Sequence, residues 1–378
     1  MSNKIHAWGI NLVLALASVA VTLCGFEVAL RFFLPQKLYR FPPGLFRNDP
    51  DLAFALNPGF RGTLANPEYT THVRIDALGL RGPDPEPKSR GTVRVLGVGD
   101  SFVSAFNVEE EGTFLSVAGA TLRSSLPGRK VEVINAGTPN YGTWHELRLF
   151  RRLAPTLMPD AAVLCVYLGN DLEDNLYPRQ AIVKHGLLVE KQHRPGILPY
   201  PLRSCLQQNC MTYVFLWNSW NRFRPWFGKV ERDPLHVDKD LTSPEAPPYV
   251  EEGYRVSGDL LRQAREETAP RGLPLLVVLI PTEYQVYPAK FEKMVRNQGE
   301  DPARFDLERP TKRWTDLTRA AGLPVLDLLP VFRAHVSGPY LYMSLDGHLT
   351  VEGNRLAGEA IAGALLPLLD TALQKGPS

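Results

Sequence analysis

Residues Ala161 to Leu168 form a near-continuous apolar run. A strand of this kind is buried on both faces, which requires helices above and below the sheet that contains it. The flanking sequence agrees. Val93 to Val98, Lys130 to Ala136, Leu273 to Ile280 and Pro324 to Leu328 read as further strands. Helical patterns at Thr113 to Ser125, at Trp144 to Leu157 and ahead of each of the last two strands separate them. Five strands alternating with helices predict an α/β fold, a five-stranded parallel sheet with helices on both faces. Val351 to Leu369 reads as a closing amphipathic helix with Thr350 as its N-cap.

The N-terminus has a different character. Trp8 to Phe26 carries no charge and one strongly polar residue, Asn11. That is close to the roughly 20 residues a membrane-spanning helix needs. A cleavable signal peptide requires small residues at its cleavage site. Val21-Thr22-Leu23-Cys24 has Leu23 where a lipoprotein signal carries a small residue. An uncleaved transmembrane anchor is therefore expected over residues 1–34. Glu27 and Arg31, four apart, can pair on one face as the helix leaves the apolar layer.

Residues 35–90, rich in Pro, Gly and short polar stretches, read as a spacer packed on the next domain, with a short strand at Thr71 to Asp76 and a turn at Gly79 to Pro83. The main domain is expected over residues 91–372. Between Leu176 and Tyr249 the alternation fails, and aromatic residues cluster from Tyr213 to Phe227. We read about 176–249 as an insertion, either a lid or substrate wall or a purely structural excursion.

Charge and cysteine content exclude several classes. The 378 residues include 42 basic and 40 acidic side chains, a net charge of +2, with no basic tract interleaved with aromatics. Nucleic acid is therefore not an expected partner. A chain of this length can bury a core that needs no metal or disulfide. Cys24 and Cys165 sit in apolar runs and read as small hydrophobes. Cys205 and Cys210 lie in a loop-like stretch. They either form a local disulfide, which suits an oxidising compartment, or stay unpaired. No second Cys/His pair supports a zinc site, the eight histidines show no paired-ligand spacing, and neither metal nor cofactor is expected. Lys4 precedes the apolar run, while Arg31, Lys37, Arg40 and Arg47 follow it. Read literally, that bias puts the large domain in the cytoplasm, against the disulfide.

Ser101 follows Gly99-Asp100 at the exit of the first strand, where ligands bind in open α/β sheets. Its hydroxyl can sit near a helix N-terminus, where backbone N–H groups favour developing negative charge. Asp346 and His348, two apart in what reads as an extended stretch, project to one side just before the last helix. An imidazole can take the serine proton, and a carboxylate on its other nitrogen fixes the tautomer. Gly169-Asn170-Asp171 follows the buried strand, so the Asn170 amide can point into the same crevice. The loop Asn135 to Thr143, after the second strand, can aim a backbone N–H inward.

These blocks resemble the GDSL-type, or SGNH, hydrolases over about residues 91 to 370. The resemblance implies a flavodoxin-like three-layer sandwich. It makes Ser101 the nucleophile and one oxyanion donor, Asn170 the side-chain oxyanion donor, His348 the base and Asp346 its orienter. Counting from Asn135, the family's second oxyanion glycine falls on Asn140, whose type tolerates positive φ, with Gly142 the alternative if the loop is shifted. The family commonly spaces the last Asp and His by three. The spacing of two resembles a subset that modifies polysaccharide O-acetyl groups. Membrane-anchored members typically face the extracytoplasmic, periplasmic side.

The resemblance implies a serine-dependent ester hydrolase or acyl (acetyl) transferase acting on an envelope glycan or lipid ester. The alternative is a non-catalytic SGNH-like module that binds an envelope glycan or a protein partner. A metal-dependent hydrolase is disfavoured by the histidine spacing.

Overall fold

The computed structural model describes residues 2–36, 41–184, 186–190, 200–223 and 236–374. The chain divides into two compact units, a smaller one of residues 1–40, 65–69 and 194–232 and a larger one holding the rest.

The larger unit opens with two short antiparallel pairs, β1 (Phe46–Asp49) with β2 (Ala53–Leu56) and β3 (Arg61–Ala65) with β4 (Thr70–Arg74). The main sheet follows: β5 (Thr92–Gly99), β6 (Lys130–Gly137) and β7 (Ala161–Tyr167), then β10 (Leu275–Ile280) and β11 (Val325–Asp327). Between these two groups β8 (Ala181–Lys184) and β9 (Leu187–Glu190) form a small hairpin. The five main strands run parallel in the order β11-β10-β7-β5-β6. That is the flavodoxin-like doubly wound order, in which the direction of winding reverses between β5 and β7. Every residue of β5 and β10 is buried, as a strand covered on both faces requires.

The sequence between the strands supplies the cover. α3 (Phe114–Ser125) and α14 (Val351–Gln374) share one face, where Phe114, Leu115, Leu356 and Ile361 pack on Val95, Val163 and Val278. α4 (Thr143–Leu157) and α12 (Arg309–Ala320) lie against the sheet with α9 (Pro248–Thr268) packed on both. Short helices close the strand exits: α2 (Ser101–Ser104), α5 (Asp171–Leu176), α10 (Glu283–Val286), α11 (Pro288–Asn297) and α13 (Leu329–Arg333). Thr350 Oγ1 accepts the Gly353 N–H at 3.2 Å, so it caps α14 as expected.

Two readings are corrected between Leu176 and Tyr249. The stretch without a legible period contains α6 (Tyr200–Asn209), α7 (Met211–Phe223) and α8 (His236–Thr242) as well as the hairpin. Residues 224–227 of the aromatic cluster lie outside the described residues. Nor do Cys205 and Cys210 form a disulfide: both are free thiols. Cys205 lies exposed on α6, whereas the Cys210 thiol, in the joint before α7, lies 3.6 Å from Glu27 Oε2. Each cysteine is therefore committed to a different environment.

One buried cation organises the start of the larger unit. Arg81 is 4% exposed, and its guanidinium donates to the carbonyls of Ser104, Ala105 (2.5 Å) and Val108 (2.6 Å). Its own N–H bonds the Asn135 carbonyl at 3.1 Å. Arg81→Ala strands these buried carbonyls and should cost about 3 kcal/mol or more. A denaturant titration should show the lowered midpoint, and Arg81→Lys, which cannot span three acceptors, should fall between the two.

Candidate active site

Ser101 is the first residue of α2, directly after β5. Asp100 caps it, its Oδ1 accepting the Phe102 N–H at 2.8 Å. The turn is tight because glycines let other chain segments approach. A Cβ on Gly137 would lie 2.2 Å from the Ser104 nitrogen, and one on Gly99 2.1 Å from Val103 Cγ2. Asn135 Nδ2 donates to the Val103 carbonyl at 2.8 Å, locking the end of β6 to the same turn.

Asp346 and His348 arrive from the other end of the chain. The sequence suggests an extended stretch; the structure has a turn. Gly347 takes φ +81°, its N–H bonds the Met343 carbonyl at 2.9 Å, and the Met343 N–H bonds the His348 carbonyl at 2.8 Å. The left-handed glycine folds the two side chains onto each other, so that His348 Nδ1 hydrogen-bonds Asp346 Oδ1. His348 Nε2 lies 2.8 Å from Ser101 Oγ. Phe102 packs on the imidazole, ring centroids 4.8 Å apart, and stacks on Tyr167 at 3.9 Å. Asn107, after α2, donates to the Leu349 carbonyl at 2.7 Å and so holds the histidine turn beside the serine turn.

The other two residues named from sequence stand at neighbouring strand exits. Asn140 lies exposed in the loop after β6 at φ +65°. That loop is tied to the exit of β5 by the Thr138 N–H on the Gly99 carbonyl, 3.0 Å. It is braced behind by buried Tyr141, whose hydroxyl donates to the Phe54 carbonyl at 2.6 Å. Gly142, the alternative, lies at the N-terminal boundary of α4, where a Cβ would meet Asn175 Oδ1 at 2.8 Å. Asn170 follows β7, and its amide donates to Asp174 Oδ2 at 2.8 Å.

Sequence reasoning missed what lies beneath. Asp100, Glu146 of α4 and Asp171 are almost fully buried. Asp100 Oδ2, both Glu146 carboxyl oxygens and Asp171 Oδ1 have no hydrogen-bond partner among the described residues. Burial pushes Asp100 up to about 6, against the pull of the Phe102 N–H, His348 and Asn170. Burial, then the charges of Asp100 and Asp174, lifts Glu146 well above the usual carboxylate range; Asp171 rises likewise through burial, Asp100 and Glu146. Their only sequence signal is two acids following Gly99 and Asn170; Glu146 has none. Among the described residues, no group of three or more His, Cys, Asp or Glu side chains is arranged to hold a metal ion.

Residues 242–377 match the family model of the SGNH hydrolase-like domain, acetyltransferase AlgX. That segment holds Asp346 and His348, while Ser101 and Asn170 precede it. No curated protein matches the chain in sequence. Solved structures with a similar fold include LAE5, an α/β hydrolase enzyme from the metagenome of Lake Arreo, Spain. It is 12% identical, with TM-score 0.40, over 74% of this chain and 96% of that one. A lipolytic protein of the G-D-S-L family from Desulfitobacterium hafniense is 14% identical, with TM-score 0.36, over 72% and 100%. A variant of Axe2, an acetyl xylan esterase from Geobacillus stearothermophilus, is 13% identical, with TM-score 0.37, over 74% and 95%. The similarity to the SGNH hydrolase-like domain thus lies in the C-terminal segment of the chain.

The buried carboxyls set a pH dependence. In the unfolded chain they ionise near pH 4, whereas the folded protein holds their protons to higher pH. Between those limits the unfolded state binds fewer protons, so stability falls as pH rises. Glu146→Gln keeps the neutral shape and removes one charge. It should raise stability at pH 8 by about 1–3 kcal/mol, and at pH 4 by little. Thermal or denaturant unfolding across that range would show the flattened curve.

Proposed function

We propose that the protein is a serine-dependent ester hydrolase or acyl (acetyl) transferase that works through an acyl-serine intermediate. The observation that carries this reading is the Ser101 Oγ to His348 Nε2 separation of 2.8 Å with Asp346 on the other ring nitrogen. With Nδ1–H donated to Asp346, Nε2 is the free acceptor for the serine proton. Ser101 Oγ attacks the ester carbonyl as that proton passes to Nε2. The Ser101 N–H, the Asn140 N–H and an Asn170 amide hydrogen stabilise the oxyanion. The imidazolium returns its proton to the leaving alkoxide. Water, or a sugar hydroxyl, then gives its proton to His348 and takes the acyl group.

The matching family domain, an acetyltransferase, favours transfer of an acetyl group, with an envelope glycan as substrate. A lipid ester would fit the same acyl-serine chemistry. We further propose that α1 (Ser2–Phe33) anchors the chain in the membrane and that the larger unit is extracytoplasmic. The most apolar 18 residues of that helix, within Trp8–Phe33, have mean hydropathy 2.2. The free thiols of Cys205 and Cys210 remove the disulfide from the argument on sidedness, which then rests on the family resemblance.

A fluorophosphonate probe should label wild-type protein, and Ser101→Ala should abolish labelling and lower p-nitrophenyl acetate hydrolysis by about 10³-fold or more. Asn170→Ala should lower kcat by about 10²-fold with KM little changed, since its amide would act in the transition state. Folded wild-type protein that resists the probe would leave the glycan- or protein-binding module as the function.

A further inference from the structure

Glu27 and Arg31 pair at 2.6 Å, as their spacing predicts, but the pair does more than decorate α1. The Glu27 carboxylate accepts the N–H groups of Met211 (3.1 Å) and Thr212 (2.7 Å), the open first turn of α7. Arg31 donates to the Asn209 carbonyl at 2.9 Å, at the end of α6. Negative charge thus sits at the start of one helix and positive charge at the end of the other. Apolar contacts complete the joint. Leu30 and Met211 are each 4% exposed, with Val214 and Phe215 packed against them, and Phe26 meets Phe215 edge-on at 5.5 Å.

These contacts give α7 a direction. From Met211 to Phe215 it runs from Leu30 back to Phe26, from the charged end of α1 toward its apolar stretch. Trp8 to Phe26 rises about 28 Å at 1.5 Å per residue, close to the roughly 30 Å hydrocarbon core of a bilayer. Phe26 therefore marks the edge of the apolar layer, and residues beyond Phe215 head into it. Met211, Val214 and Phe215 form the face turned to α1. At the same helical spacing, Tyr213, Leu216, Trp217 and Trp220 form the opposite face. Leu216 is 53%, Trp217 46% and Trp220 56% exposed, and no charged residue occurs from Met211 to Trp220. Tyrosine and tryptophan concentrate at membrane–water interfaces, where the ring is apolar and its polar tip stays wet.

We propose that α7 dips into the edge of the bilayer beside α1, with Tyr213, Leu216, Trp217 and Trp220 against lipid at the headgroup–acyl boundary. The proposal rests on the reading of α1 as a membrane anchor. The exposed face is apolar and aromatic, so its occupant is lipid, and the α1 contacts set its depth.

Photocrosslinking in the full chain tests this. p-Benzoylphenylalanine is placed singly at Leu14, Trp217 or Trp220, and the protein is reconstituted in phosphatidylcholine nanodiscs doped with an alkyne-tagged lipid. Lipid adducts at positions 217 and 220 should reach within about threefold of the yield at position 14. Adducts at 14 with less than a tenth of that yield at 217 and 220 would overturn the placement of α7 and leave the anchor standing. A covalent dimer at 217 or 220 in place of a lipid adduct would do the same, and assign the face to a second copy. No lipid adduct at 14 would overturn the anchor and this proposal together.

Discussion

The carbonyls of Ser104, Ala105 and Val108 lie past the end of a helix only four residues long, and Arg81 takes all three. A single turn of helix cannot hold itself, because its nucleation costs more than one hydrogen bond returns. Ala105 makes the turn harder still by adopting φ +44°, a strained value for a residue with a Cβ. The guanidinium offers five donors in a fixed fork, so it can bond several diverging carbonyls. The shape of the backbone after Ser101 is therefore set by a residue ahead of the first sheet strand. The larger unit begins at Phe41, and its first fifty residues build the back of the site rather than merely lead to it.

The same neighbourhood explains how three acids can be buried under a serine. Left ionised, Asp100, Glu146 and Asp171 would repel one another, and their orphaned oxygens would have no donors. Protons remove the repulsion and lower the cost of burying these oxygens. They also serve the chemistry proposed for Ser101. A tetrahedral intermediate on Ser101 would carry negative charge, and ionised carboxylates nearby would oppose it. With Glu146 and Asp171 holding their protons, the cluster sets less negative charge against the oxyanion. Asp100 is the member closest to ionising, and it is the one that accepts from the Phe102 N–H and lies near His348.

The sheet was legible because burial on both faces leaves an unbroken apolar signature, as in Ala161 to Leu168. Strand ends follow from it, and with them the blocks around Ser101, Asn170 and His348. The parts that escaped carry no periodic signal. Arg81 and Asn107 act through backbone carbonyls brought near by folding, and an arginine or asparagine in a polar loop looks like any other. Glu146 sits on a helix where acids normally face water, and only the packing of α4 on the sheet turns it inward. The Asp346 to His348 geometry depends on one left-handed glycine, which a spacing rule for extended chain cannot anticipate. α7 was missed because its apolar residues serve two faces at once, which erases the single stripe of an amphipathic helix.

That double-faced α7 also changes the meaning of the Glu27–Arg31 pair. Exposed i,i+4 ion pairs contribute only about 0.3–0.5 kcal/mol, too little to explain two charges at the edge of an apolar helix. As helix caps they do more. Each satisfies backbone groups that the short joint between α6 and α7 leaves open, and each complements the local helix dipole. An alanine at either position would leave the pair's partner charged beside unsatisfied main chain. The joint explains why these charges stand where α1 stops being apolar. They neutralise each other and bond the backbone at the end of the apolar run, and α7 starts from there with Leu216, Trp217 and Trp220 exposed.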